Sequence, residues 1–126
     1  MTPQEIFDKA VGGVIAQGKL AIDPNRGCAY RTEDGAACVV GQLIDAETAK
    51  EWDEFNDPDP TIMSIAHSHL GIPEEMEPHL KLLAELQSAH DGAYRVNHRN
   101  DAKEIQDFIE AARQVALRNG LEFKFG

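Results

Sequence analysis

The sequence predicts a mostly helical α+β fold, with three main helices and several short helices around one small antiparallel β-hairpin. Three observations support this prediction. Apolar residues recur at helical spacing in three long segments, a turn sequence separates two short runs, and no linker, repeat or low-complexity tract interrupts residues 1–126. A chain of 126 residues is long enough to bury a core, so we expect a single compact domain.

The first main helix is predicted to begin after Thr2 and to end at Gly18. Thr2 and Glu5 form a capping box, and Pro3 occupies the first helical position, where proline is favoured. The apolar residues at helical spacing are Ile6, Phe7, Ala10, Val11, Val14 and Ile15. Two glycines at positions 12–13 each cost about 1 kcal/mol relative to alanine. They indicate a close approach by another element, or a kink.

A β-hairpin is predicted next, with short strands at about 28–31 and 36–40, after a connection over residues 19–27 that ends in turn chemistry at 23–25. A three-residue loop, Glu33-Asp34-Gly35, pairs Tyr30 with Cys38 and places Cys28 on the same face as Cys38. A two-residue Asp34-Gly35 turn instead places the two thiols on opposite faces, because a shift of one residue reverses every side chain. The sequence leaves both registers open.

Short helices are predicted in the middle of the chain. Asp45 caps one that ends near Trp52, the prolines of residues 53–60 indicate a loop, and Thr61 or Pro60 opens another that ends at Leu70-Gly71.

The second main helix is predicted over Pro78 to about His90, with its stop at Asp91-Gly92. The third runs from a cap at Asn100 or Asp101 to Gly120. Residues 121–125 alternate in polarity and predict an edge strand beside the hairpin.

The composition disfavours nucleic-acid and membrane roles. The net charge is −10, with 12 Lys and Arg against 22 Asp and Glu, whereas phosphate contact needs a basic surface. No apolar run approaches the roughly 18 residues of a membrane span, and residues 1–5 lack the pattern of a signal peptide. We therefore expect a cytoplasmic protein, whose two cysteines are free thiols in a reducing compartment.

The acidic residues are concentrated between positions 45 and 77, where the one basic residue is Lys50. A surface of this kind steers a protein toward a basic partner; the alternative is a solvated surface that maintains solubility. The ten carboxylates are Asp45, Glu47, Glu51, Asp53, Glu54, Asp57, Asp59, Glu74, Glu75 and Glu77.

The cysteines allow three interpretations. Packed neutral thiols are the simplest, because a free cysteine behaves as a small apolar residue. A zinc site formed by Cys28, Cys38, His79 and His90 requires the second main helix to cover the hairpin, and the cysteine spacing is not that of a zinc ribbon. A cysteine nucleophile with His90 and Asp91 is the third. Because no catalytic motif is present, we expect a binding protein and not an enzyme, with no cofactor other than this zinc.

Tyr30 and Arg31 lie on opposite faces of one predicted strand. Tyr30 is expected to pack inward with its hydroxyl bonded, while Arg31 faces solvent or an acidic neighbour. The functional alternative is a small-ligand pocket with both residues in its floor, in which Arg31 binds a phosphate or a carboxylate.

Several motifs resemble a family of small uncharacterised proteins encoded by phages and prophages. They are Gln4-Glu5-Ile6-Phe7-Asp8, Gln17-Gly18-Lys19, Cys28-Ala29-Tyr30-Arg31, Asp34-Gly35, Cys38-Val39-Val40-Gly41, Leu43-Ile44, Leu86-Gln87 and His90-Asp91. No activity is implied by these motifs. The resemblance implies an accessory protein that binds and inhibits a host protein, including counter-defence inhibitors of nucleases whose DNA grooves are basic. The acidic residues listed above are then the partner-binding surface.

Overall fold

The computed structural model describes residues 1–23, 27–55, 61–97 and 100–125. It confirms the mostly helical α+β fold. Its elements are the helices α1 (Pro3–Gln17), α2 (Ala46–Asp53), α3 (Ile62–Ala66), α4 (Leu80–Asn97) and α5 (Asp101–Arg118), the 3-10 helices Gly41–Leu43 and Glu74–His79, and the strands β1 (Ile22–Asp23) and β2 (Gly27–Cys28). In the described ranges, no helix has the length and apolarity that crossing a bilayer requires.

Local capping signals define where the helices begin. The Thr2 side chain accepts from the Glu5 amide at 3.1 Å and the Glu5 carboxylate accepts from the Thr2 amide at 2.8 Å, which is the predicted capping box. The side chains of Asp45, Thr61 and Asn100 cap α2, α3 and α5 in the same way. Helix α3 ends at Ala66, earlier than the predicted stop at residues 70–71.

The glycine pair in α1 accommodates two other parts of the chain. A Cβ at Gly12 would lie 3.0 Å from the Phe125 ring, and a Cβ at Gly13 would overlap the Gln42 side chain. Gln42 is held there by bonds from its amide nitrogen to the Gln17 side chain (3.1 Å) and to the Ala37 carbonyl (3.0 Å). The predicted close approach is therefore confirmed on both glycines.

The second main helix is longer than predicted. The expected stop at Asp91-Gly92 is wrong, because α4 continues through both residues to Asn97. Ala93 is buried beyond the glycine, and α4 packs along α5 more extensively than any other pair of elements. The burial of this added turn outweighs the cost of roughly 1 kcal/mol that a glycine brings to a helix.

The sheet also differs from the prediction. The two strands of the sheet pair Ile22 with Cys28 and Asp23 with Gly27, in a segment predicted as a connection. In the predicted hairpin, only an isolated bridge between Arg31 and Ala37 forms. Residues 24–25 of the predicted turn and residues 56–60 of the predicted loop lie outside the described ranges.

Residues 121–125 do not form the predicted edge strand; they lie across α1. The Gln4 side-chain amide donates to the Glu122 carbonyl at 3.0 Å and accepts from the Glu122 amide at 2.9 Å, which replaces the bonds of a strand partner. Phe123 packs edge-on against Phe7 with ring centroids 6.3 Å apart. The alternating pattern therefore indicates one half-buried face against a helix.

Candidate functional site

The hairpin adopts the register of the three-residue loop. The Thr32 amide donates to the Ala36 carbonyl at 2.9 Å and the Cys38 amide to the Tyr30 carbonyl at 3.1 Å. Gly35 has a φ of 92°, which favours glycine at the end of such a loop. This register confirms the first of the two alternatives, with Cys38 opposite Tyr30.

The carboxylate of Asp53 binds the backbone of the hairpin. Its two oxygens accept from the Tyr30 amide at 2.8 Å and from the Arg31 amide at 3.2 Å. Asp53 is half-buried at the end of α2. This residue was predicted as part of the partner-binding surface, but its carboxylate is used in holding the hairpin to α2.

His90 is fully buried on α4 and bonded through both ring nitrogens. The Ala21 amide donates to Nε2 at 3.1 Å. Since Nε2 accepts, the proton of the neutral imidazole is on Nδ1, which donates to Asp91 Oδ1 at 3.0 Å. His90 therefore connects the segment before β1 to Asp91 and fixes the orientation of that carboxylate.

Cys28 and Cys38 are both free, and both are protonated in this environment. Burial, with the neighbouring Asp91 carboxylate, raises the pKa of Cys28 far above its ordinary value of 9.0. Burial raises the pKa of Cys38 to about 12. Neither nitrogen of His90 is free to take a proton from a thiol, since both are already bonded. A nucleophilic cysteine needs the opposite environment, so the geometry opposes the thiol-enzyme interpretation.

Tyr30 and Arg31 have different surroundings in the part of the chain that the structure describes. Tyr30 is 2% exposed; its hydroxyl accepts from Gln87 Nε2 at 3.2 Å and its ring packs edge-on against Trp52. Arg31 donates to the Ile44 carbonyl at 2.8 Å. The cavity beside Tyr30 has a volume of about 20 Å³, and Arg31 does not line it. Such a cavity holds one water or one ion, whereas organic ligands occupy about 300 Å³ or more.

Gln87 is a central residue of this region that the sequence did not reveal. Its Oε1 accepts from the Ile62 amide at 2.8 Å while its Nε2 reaches Tyr30. It therefore joins α3 and the hairpin to α4. The one available signal was a polar residue on the apolar face of a predicted helix.

The predicted metal set is only partly brought together. Cys28 and Cys38 line the same cavity, and a ring nitrogen of His90 lies within 4.8 Å of the Cys28 sulfur. His79 is elsewhere, because its Nε2 contacts the Met1 carbonyl at 3.0 Å and eleven residues of helix span about 16 Å. Asp91, which was not predicted as a ligand, completes the cluster within 4.8 Å.

Six of the predicted acidic residues form what we call the acidic set: Glu47, Glu51 and Glu54 on or beside α2, and Glu74, Glu75 and Glu77 in the 3-10 helix Glu74–His79. All six are exposed, and none forms an ion pair with any residue that the structure describes. Asp45 is also exposed but caps α2, which lowers its pKa through the Thr48 amide. Asp57 and Asp59 lie outside the described residues.

Comparison of the chain with protein-family models, with curated proteins and with solved structures gives no match in any of the three.

Proposed function

We propose that the protein binds a host protein that carries a basic surface and inhibits it, with the acidic set as the docking residues. In this proposal it is a phage-type accessory protein. A defence nuclease is the kind of target that fits, because a nuclease binds DNA through a basic groove and a negative surface competes for that groove.

The observation that carries the proposal is the concentration of six exposed glutamates without an ion pair in two short segments. Elsewhere in the described chain three carboxylates are paired with cations, Asp34 with Lys19, Asp8 with Lys124 at 3.1 Å and Glu110 with Arg113 at 3.5 Å, while single exposed glutamates such as Glu33 and Glu122 are not. The six glutamates of the acidic set have no such partner among the described residues. Their charge is therefore available to an external cation.

The position of these glutamates also supports a binding role. Glu47 and Glu51 lie four residues apart on α2, so both project from one face of the helix. Ala49 and Trp52 of the same helix are buried, and Asp53 fixes its end to the hairpin. A helix held in this way presents its charges in a fixed arrangement, which reduces the entropy lost on binding.

The test uses three charge-reversal variants with equal changes of net charge. The first is E47K/E51K/E54K, the second is E74K/E75K/E77K, and the control is E33K/E110K/E122K, whose exposed carboxylates lie outside the acidic set. Proteins captured from host lysate identify the candidate partner. Its dissociation constant and the inhibition of its activity are then measured with purified components over a range of ionic strength.

We expect at least one of the first two variants to lose about 100-fold or more in affinity, because like charges facing each other cost several kcal/mol. The control is expected to lose far less. Wild-type affinity should also fall as salt rises. Equal losses in all three variants, affinity that does not depend on salt, or a bound partner that keeps its full activity would each contradict the proposal.

A further inference from the structure

The cavity between the hairpin and α4 is lined by both thiols and by the carboxylate of Asp91. Its volume of about 20 Å³ is that of a site for one water or one ion. Asp91 and Gln87 also line a second cavity of about 260 Å³, between α3 and α4. The two cavities are therefore adjacent.

The donor atoms around the small cavity are already close together. The Cys28 sulfur, a ring nitrogen of His90 and a carboxylate oxygen of Asp91 lie within 4.8 Å of one another. Ligand atoms around a tetrahedral zinc ion are about 3.3–3.8 Å apart, given metal–ligand bonds of about 2.0–2.3 Å. A small contraction therefore brings Cys28 and Asp91 to bonding distance of one ion. Cys38 lines the same cavity but is outside the 4.8 Å cluster, so its sulfur must move toward the other two donors to bind that ion.

His90 is placed to bond a metal ligand from the outer shell and not to bind the metal itself. Its Nε2 is occupied by the Ala21 amide, and its Nδ1 hydrogen points at Asp91. Ligation through Nδ1 would require the proton to move to Nε2, where it would face the Ala21 N–H. A buried residue that bonds a ligating carboxylate is a common outer-shell partner of a metal site.

The Cys38 sulfur accepts a hydrogen bond from the backbone. The Gly41 amide donates to Cys38 Sγ at 3.4 Å. An amide directed at sulfur favours the thiolate form, which is the form that binds metal, and a bound cation would supply the further stabilisation that a buried thiolate needs. The tight turn at Gly41 permits this geometry, since a Cβ there would overlap the Tyr30 carbonyl.

A divalent cation reduces the negative charge around the cavity. With two thiolates and the Asp91 carboxylate as ligands a net charge of −1 remains, and the Asp53 carboxylate, which also lines the cavity, brings it to −2. Two backbone amides donate to Asp53, and the positive charge of Arg95, one helical turn after Asp91 on α4, acts on Cys28. These groups oppose the negative charge that remains.

We propose that Cys28, Cys38 and Asp91 bind one thiophilic divalent cation of the Zn²⁺ class, with water in the fourth position. The site links the hairpin to α4. This ligand set replaces His79 with Asp91 and moves His90 to the outer shell. The proposal does not depend on binding by the acidic set.

The test is a titration of the reduced full-length protein with Co²⁺ alone. Cobalt bound to thiolates gives sulfur-to-metal charge-transfer absorption in the near ultraviolet, whose intensity rises with the number of thiolates. Carboxylates and histidines at the surface do not give this signal. We expect the intensity of two thiolates for the wild type and about half of it for Cys28→Ser and for Cys38→Ser.

Asp91→Asn is expected to keep the charge-transfer absorption and to bind Co²⁺ about 10- to 100-fold more weakly. His79→Asn is the matched control and is expected to match the wild type. Circular dichroism establishes that each variant is folded, and competition by Zn²⁺ measures the preference for zinc. The absence of charge-transfer absorption in folded wild-type protein, or absorption that Cys28→Ser leaves undiminished, would overturn the proposal.

Cys38 is 3% exposed, so Cys38→Ser is the variant with the greatest risk of misfolding. A second measurement therefore uses no cysteine variant. The protein is equilibrated with Zn²⁺, separated from free metal by gel filtration and analysed for zinc. One zinc per chain is expected, and none would reject the site. The charge-reversal variant E47K/E51K/E54K should bind the same amount, which separates this result from the fate of the proposed docking residues.

Discussion

The hairpin region and the acidic set use the same kind of side chain in opposite ways. Around the hairpin, Asp53 accepts two backbone amides and Asp91 accepts from a buried imidazole. In the acidic set, Glu54, the next residue after Asp53, is exposed and has no ion-pair partner in the described chain. A count of carboxylates along the sequence therefore combines residues that hold the fold together with residues that are exposed to solvent and make no ion pair in the described chain.

The largest expected effect is at His90. His90→Ala leaves the Ala21 amide without its acceptor, removes the bond to Asp91 and opens a cavity beside Phe108, whose ring centroid is 6.2 Å from that of His90. We expect the free energy of unfolding to fall by about 3–5 kcal/mol, measured by urea denaturation.

His79→Ala is the control for this variant, because His79 makes one bond near the surface, and its loss should cost about 0.5 kcal/mol or less. Similar losses at the two histidines would mean that the buried network contributes no more than a surface contact.

The second effect compares the neighbours Asp53 and Glu54. Asp53→Ala removes the acceptor of both the Tyr30 and the Arg31 amides, so we expect a loss of about 2–3 kcal/mol. Glu54→Ala should change stability by no more than about 0.5 kcal/mol. Thermal and urea unfolding of the two variants measure this directly. A large effect at Glu54 would show that the acidic set is also part of the framework.

The third effect compares two glycines inside helices. Gly13→Ala forces the Gln42 side chain from its bonds to Gln17 and Ala37, and we expect a net loss of about 1 kcal/mol. At Gly92 nothing lies within 4 Å of an added Cβ, so Gly92→Ala should stabilise the protein by about 0.5–1 kcal/mol. The test is the sign of the change in the free energy of unfolding, measured by urea denaturation. The same sign for both variants would contradict the conclusion that Gly13 makes room for Gln42.

The smallest effect concerns acid pH at the hairpin loop. Hydrogen bonds to the Asp34 carboxylate lower its pKa below the ordinary value of 3.8. The bond from Lys19 has the largest effect, and the bonds from Thr32 and from the Ala36 amide have smaller ones. A lowered pKa in the folded state gives stability that is present above pH 3.8 and is lost as the pH falls toward the folded-state pKa. We therefore expect Asp34→Asn to lose part of this stability at pH 7 and to show a shallower decline below pH 3.8. Parallel unfolding curves for the wild type and the variant over this range would reject the assignment.

The features of the fold that could be predicted are those that depend on residues close together in the sequence. The caps at Thr2, Asp45, Thr61 and Asn100 act through side chains that accept from the amide three residues later, so the sequence nearby contains the information. The tight contacts at Gly12 and Gly13 followed from the cost of glycine in a helix.

The elements that were mispredicted depend on distant partners. The continuation of α4 beyond Gly92 follows from its packing on α5, and residues 121–125 lie on α1 because of Gln4, 118 positions earlier. Asp91 was interpreted as an orienting group for a histidine base. Its role as a candidate ligand required the register of the hairpin against α4, and no spacing along the chain carries that information.

The contact between Gln4 and Glu122 has a consequence for biosynthesis. Helix α1 leaves the ribosome long before the aromatic side chains at positions 123 and 125 that cover one side of it. Until those residues emerge, this side of α1 has no cover. A nascent chain stalled before these residues emerge should therefore be a better chaperone client than the finished protein.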